Sequence, residues 1–247
     1  GYYPSMESKR DWTDSFNRCC YGYYTPLGDN TARVEGYNWA PYGYISASNT
    51  LGGYSTVWQG EWLASVDIYL DPADWTNGQG YDYSVAANGK NGLHRRDYIF
   101  HLSKIAGKLY FAGSNNSSYQ PRLDLASLNN YEVTVAGWYT MQHRFYENNL
   151  KLAVDLLVFD SSGNQLFKET RTDVSDVIST LIGGNRYAWF VHVTKPGGVI
   201  IKNLKKIIIG NAFSSSANVC DYMVARYYHC EGGNTFKLKG TYYQTAA

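Results

Sequence analysis

The sequence is short of charge, and of charge imbalance above all. Lys, Arg, Asp and Glu make up 17% of its 247 residues, and 22 basic against 21 acidic side chains leave a formal net charge of +1. So even a balance supplies no basic field, which argues against sequence-independent binding to nucleic acid. Long apolar runs are also missing. Pieces such as Ile207-Ile208-Ile209 and 156–159 fall far below the roughly 18 to 20 residues that a membrane-spanning helix needs. No such span is predicted, and a soluble chain is expected. Methionine is scarce, at 3 residues, and proline is limited to 6.

Cysteine is confined to the two ends, at Cys19, Cys20, Cys220 and Cys230. Four cysteines allow three pairings, which sequence cannot choose between. A bridge between the adjacent Cys19 and Cys20 would strain the peptide joining them, so each is expected to reach Cys220 or Cys230 and tie the two ends together. The spacing lacks the C-x-x-C pairs of zinc knuckles. Disulfides imply an oxidising compartment. The start at Gly1, with neither Met nor an apolar leader, reads as a processed mature form.

Aromatic residues are abundant. They make up 16% of the chain, with 24 Tyr and 7 Trp, beside 24 Gly, and hydrophobic residues reach 44%. That is enough apolar material for a core, which excludes intrinsic disorder. Tyrosine is both a favoured strand residue and a flat surface with a hydroxyl at its tip.

Most of the chain has a period of two. Over 62–71, Trp62, Ala64, Val66, Ile68 and Leu70 point one way, and Ser65, Asp67, Tyr69 and Asp71 the other. This is a half-buried strand. Similar patterns occupy 96–103, 108–112, 131–136, 138–146, 150–159, 164–170, 185–193 and 199–209. Their separators are turn-forming: Asn88-Gly89, Asn91-Gly92, Ala106-Gly107, Glu147-Asn148-Asn149 and Asp160-Ser161-Ser162-Gly163. The expected class is all-β, an antiparallel two-sheet sandwich. One short helix is predicted over 173–184, where Val174, Val177, Ile178 and Leu181 share a face, Asp173 is the N-cap and Gly183 closes the end. Three regions are expected: an irregular N-terminal wrapping segment over 1–52 with one or two early strands, a sandwich core over 53–210, and a C-terminal hairpin over 211–247.

The segment GWYTMQHRFYENNLKLAVDLLVFD at 137–160 resembles the central hairpin of concanavalin A-like jelly rolls, which include laminin-G and pentraxin-type modules. SVDIYLD at 65–71, HRRDYIF at 94–100 and GGNRYAWFV at 183–191 are similar to stretches of exported microbial surface proteins. The resemblance covers roughly 53–209. It implies a secreted two-sheet jelly roll that binds glycan without catalysis.

Sugar recognition needs an aromatic plate against the ring, with amide, carboxylate or guanidinium groups for the hydroxyls. Strand phase nominates Asp67, Tyr69, Arg96, Tyr98, Gln142, Arg144 and Tyr146, with Tyr81 and Tyr83 on the same argument. Arg186 and Tyr187 beside Trp189 form a further candidate platform. Asp71, Asp74 and Asp82 offer hard oxygens for calcium, or serve as turn residues. His94-Arg95-Arg96-Asp97 reads as a cross-strand ion-pair ladder. His101 and His143 read as hydrogen-bonded histidines in or near the core.

Enzymatic readings are weaker. The paired carboxylates of retaining glucanases are missing. A polysaccharide lyase would draw on Gln142, His143, Arg144 and Tyr146 with Arg96 and Tyr98, but strand geometry turns His143 away from its neighbours. A different class of function is a filament or sheath subunit, in which the Tyr-rich strand at 21–24 or 236–243 completes a neighbour's sheet. The expected partners are therefore glycan or like subunits. Asn115 and Asn116 each open an N-x-S sequon, read as turn material unless glycosylated.

Overall fold

The computed structural model describes residues 51–115, 122–191 and 193–209, with the backbone of short strands at 17–18, 22–28, 31–36, 46–49, 228–230, 235–238 and 241–244. The strands run β1 Asn17–Arg18, β2 Gly22–Gly28, β3 Thr31–Gly36, β4 Ser46–Asn49, β5 Trp62–Leu70, β6 Gly80–Gly89, β7 His94–Ile105, β8 Lys108–Asn115 and β9 Asn130–Val133. They continue with β10 Gly137–Asn148, β11 Lys151–Phe159, β12 Gln165–Val177, β13 Ile182–Val191, β14 Val199–Ile208, β15 Tyr228–Cys230, β16 Thr235–Leu238 and β17 Thr241–Gln244. The first sheet has the order β1-β4-β13-β6-β7-β8-β9, the second β12-β11-β10-β5-β14-β3-β2, and β15-β16-β17 form a third. Strands from near the start of the chain extend both large sheets, β4 pairing with β13 and β3 with β14. All these ladders are antiparallel, as expected of a concanavalin A-like sandwich.

Alternation decides which side of each strand meets the other sheet. The second sheet turns Trp62, Ala64, Val66, Ile68 and Leu70 inward from β5, Tyr139, Met141 and Phe145 from β10, and Leu152, Val154, Leu156 and Val158 from β11. From the first sheet come Tyr83, Phe100, Phe111 and Phe190. Trp62 stacks on its cross-strand partner Phe145 at 3.8 Å between centroids, and Tyr98 of the first sheet meets Phe145 edge-on at 5.4 Å, joining the layers. Each such side chain contributes about 1.5–3 kcal/mol on burial.

Three expectations need correction here. Tyr81, Tyr83 and Tyr98 do not face outward; all are buried in the core. Strands β6 and β7 alternate plainly, but their tyrosines share the phase of Val85, Phe100 and Leu102 and turn inward, while the polar side, with Asp82, Ser84, Asp97 and His101, is also buried. The predicted helix over 173–184 does not form: β12 runs on to Val177 and β13 begins at Ile182. Asp173 does cap a turn, its Oδ1 accepting from the Ser175 N–H at 2.8 Å, but that turn lies at a register shift of β12 against β11. Helical phase there is coincidental, and Val174 is 80% exposed. The ladder at 94–97 is also different. Arg95 and Arg96 both reach out of the strand to Asp176 on β12, at 2.7 and 2.6 Å.

The four cysteines' side chains and the Asn116 sequon lie outside the described residues. Asn115 ends β8, and its Oδ1 accepts from Arg171 Nε at 2.7 Å. The candidate terminal strands pair within their own chain, 22–24 of β2 against β3 and β16 against β17.

Candidate functional site

The outward side of β10 carries Trp138, Thr140, Gln142, Arg144 and Tyr146 in one phase. This strand lies between β11 and β5, so the stripe runs along the middle of its sheet. At about 3.4 Å per residue it extends over roughly 27 Å.

One end of the stripe is aromatic. Trp138 stands directly opposite Tyr69 of β5, the rings meeting edge-on at 5.6 Å. Tyr69 is 39% exposed. The Lys202 ammonium of β14 sits 4.0 Å from the Trp138 ring centroid, a cation–π contact.

Next along the stripe, Asp67 is buried and accepts from Thr140 Oγ1 and from Asn203 Nδ2, each at 2.8 Å. Asn203 reaches it through a register shift in β14 between Lys202 and Lys205, with its own φ at +54°. Asparagine tolerates that left-handed backbone better than most residues. Gln142 follows, opposite Ser65 and Leu157, and no hydrogen bond to its amide is formed among the described residues.

The other end is a charged network. Arg144 Nε donates to Glu61 Oε1 at 2.5 Å, and its guanidinium lies 4.6 Å from the Tyr146 ring centroid. The bond to Glu61 holds the Arg144 pKa above its ordinary value. Asp155, buried on β11, accepts from Tyr146 OH at 3.2 Å and Thr170 Oγ1 at 2.6 Å and pairs with Lys168 Nζ at 3.1 Å. Burial, and then the Asp155 carboxylate, raise the Tyr146 pKa, which keeps that hydroxyl protonated. The arrangement offers flat rings at one end, the half-buried Arg144 and Tyr146 at the other, and between them the half-buried Asn203 amide beside polar side chains, Asp67, Thr140 and Gln142, that are buried.

The structure therefore gathers Asp67, Tyr69, Gln142, Arg144 and Tyr146 on one face. It does not bring the remaining candidates there. Arg96 is held by Asp176 and by Asp173 at 3.0 Å. Tyr98 is in the core. Arg186 lies over the Tyr54 ring at 4.5 Å and donates to Asn88 Oδ1, while Tyr187 OH donates to Asp97 Oδ1 at 3.0 Å. Burial and Asp97 raise the Tyr187 pKa. Asp71 accepts from the Ala73 N–H in a tight turn, and Asp82 bonds to His101 on the other sheet's outer face. Asp71, Asp74 and Asp82 are not brought together: among the described residues no three acidic, histidine or cysteine side chains are grouped as metal ligands would be. His143 is buried in the core, on the opposite side of β10 from Gln142 and Arg144, so the lyase constellation does not assemble.

Sequence reasoning missed Trp138, Thr140, Lys202, Asn203 and Asp155. Trp138 and Thr140 carried a usable signal, because they share the phase of Gln142. Asn203 carried none, since a strand shift aims it.

No protein-family model and no curated protein matches the chain. Among solved structures, it is similar to the CBM2 module of the evolved Dit of Lactobacillus casei BL23 phage J-1, at 15% identity over 75% of this chain and 77% of that one, with a TM-score of 0.46. Peanut lectin, solved with a nine-residue peptide, is 13% identical over 82% of this chain and 92% of the lectin, with a TM-score of 0.43. A protein of unknown function from Shewanella oneidensis MR-1 is 12% identical over 78% of this chain and 77% of its own, with a TM-score of 0.40. Likeness at this level says nothing about what the chain binds.

Proposed function

We propose that the outer face of the second sheet binds carbohydrate, which makes the chain a glycan-recognition module of the cell surface or its surroundings. The observation that carries this reading is the Trp138–Tyr69 ring pair on the outward side, beside Asn203, whose amide is held by the buried Asp67 that also takes the Thr140 hydroxyl. Rings stack on the apolar side of a sugar, and polar groups already held in place replace the water its hydroxyls give up. Lys168, Lys202 and Arg144 add cations along the same face.

The test is a glycan array followed by calorimetry on any hit. Trp138→Ala and Tyr69→Ala should each weaken binding about tenfold or more, while circular dichroism stays unchanged. An array without hits, or a hit that both variants retain, ends the proposal. A cell-surface role also has a direct check: an intact mass that rises by two hydrogens per bridge on reduction supports oxidised Cys19, Cys20, Cys220 and Cys230.

A further inference from the structure

The outer face of the first sheet holds an arrangement that the carbohydrate reading does not use. Asp82 on β6, His101 on β7 and Ser114 on β8 occupy three neighbouring strands and point to the same side. His101 Nδ1 lies 2.6 Å from Asp82 Oδ1, and His101 Nε2 lies 2.6 Å from Ser114 Oγ. An ionised carboxylate only accepts, so Nδ1 carries the ring's proton. In the neutral form of the ring Nε2 is then the acceptor, for which Ser114 Oγ–H is the donor. That is the order of a serine–histidine–aspartate relay.

Two further observations separate it from ordinary cross-strand bonding. The second oxygen of Asp82 is buried and takes no hydrogen bond. A buried carboxylate oxygen without a partner is uncommon and leaves the full charge of Asp82 directed at His101. The same face also supplies a contrast: Asp97 accepts from Ser84 Oγ at 2.8 Å and Tyr187 OH at 3.0 Å and lies 2.8 Å from His94 Nε2. There the serine donates to the carboxylate and no hydroxyl faces the ring. Among the described residues, only at His101 is a hydroxyl set against the imidazole nitrogen opposite an aspartate. Ser114, 6% exposed, is the penultimate residue of β8, at the sheet's rim. Arg122, bidentate to Asp124, brings positive charge within electrostatic range of Asp82.

We propose that Ser114 is a nucleophile toward carboxylic esters, with His101 as its base and Asp82 as the residue that positions His101. Ser114 Oγ forms a bond to the ester carbonyl carbon as its proton passes to His101 Nε2. The C–O bond to the alcohol then breaks, and the departing oxygen takes that proton. Water next gives a proton to His101 as its oxygen attacks the acyl carbon, and Ser114 recovers the proton when the acid leaves. The sum is ester plus water giving acid plus alcohol. This inference is independent of the sugar-binding reading.

The test uses the whole chain and a fluorophosphonate probe. The wild-type protein should gain one phosphonyl group, mapped by peptide mass spectrometry to Ser114. Ser114→Ala should gain none, and His101→Gln should react at least 100-fold more slowly. Asp82→Asn should slow labelling by a similar factor, with Asp82→Glu restoring part of the rate. A structural role would not produce that rescue. The proposal is overturned by folded wild-type protein that takes no label, by label on another residue, or by His101→Gln labelling as fast as the parent. Should Ser114→Ala fail to fold, the mapped wild-type adduct and the His101→Gln rate still decide.

Discussion

The two outer faces of the sandwich use their polar groups differently. On the first sheet, Asp97 and His101 are buried and bonded to their strand neighbours. On the second, polar groups are also anchored, yet Tyr69 and Trp138 stand beside them, with the Lys202 ammonium over the Trp138 ring. The first face also has half-buried rings, Tyr187 and Trp189, but Tyr187 OH is tied to Asp97, whereas Tyr69 is 39% exposed. The difference teaches that exposed aromatic surface, more than polarity, suits the second face to a flat ligand.

Removing a buried acceptor from the first face should break that comparison most severely. Asp97→Ala leaves Ser84 and Tyr187 without the oxygen they share. The expected cost is about 3 kcal/mol, read as a lower urea midpoint with an unchanged m-value. Trp138→Ala, on the second face, should cost well under that and act on binding instead. Equal stability losses at the two positions would erase the distinction between the faces.

The layer between the sheets gives the next largest effect. His143 has one bond, to the Tyr98 carbonyl at 2.9 Å, and its Nδ1 takes none. Burial lowers its pKa to about 3. The unfolded chain therefore binds a proton below about pH 6.5 that the folded chain refuses. Stability from this group is complete above pH 6.5 and falls as pH drops toward 3. At roughly 1.4 kcal/mol per unit, the loss by pH 4.5 is about 2–3 kcal/mol. Urea titrations across that range should show the slope, and His143→Gln should flatten it. A slope that survives the substitution would assign it to other groups.

These contrasts also show how far the sequence can be read. The phase of β5, β10 and β11 was plain because each has one consistently apolar side, and this placed Asp67, Gln142, Arg144 and Tyr146 on a shared face. In β6 and β7 the alternation was equally plain, but tyrosine, apolar in body and polar at its tip, does not itself say which side it takes, and there it packs inward. The stretch at 173–184 misled because a strand irregularity spaced Val174, Val177, Ile178 and Leu181 as a helix would. Asn203 and the Asp82–His101–Ser114 line depend on register across strands that are distant in sequence. No local pattern encodes such register.

The smallest expected effect tests whether the two sheets were built by the same local rules. In each, a two-residue turn joins long strands: Ala106-Gly107 between β7 and β8, and Asn149-Leu150 between β10 and β11. All four residues have positive φ, at +48°, +81°, +51° and +66°. Such a turn matches strand twist and suits Asn-Gly best. Each hairpin thus has one fitting residue and one ill-suited residue, in opposite positions. Ala106→Asn and Leu150→Gly would each complete an Asn-Gly turn. Leu150 is exposed, so its removal sacrifices little packing. Relief of the left-handed backbone should exceed the entropy that glycine adds to the unfolded chain, for a gain of about 0.5–1 kcal/mol at either site. Distant sites add, so the double variant should gain about twice that in urea midpoint. A loss at Leu150→Gly would mean that its side chain supports the sheet, and that the two hairpins are not equivalent.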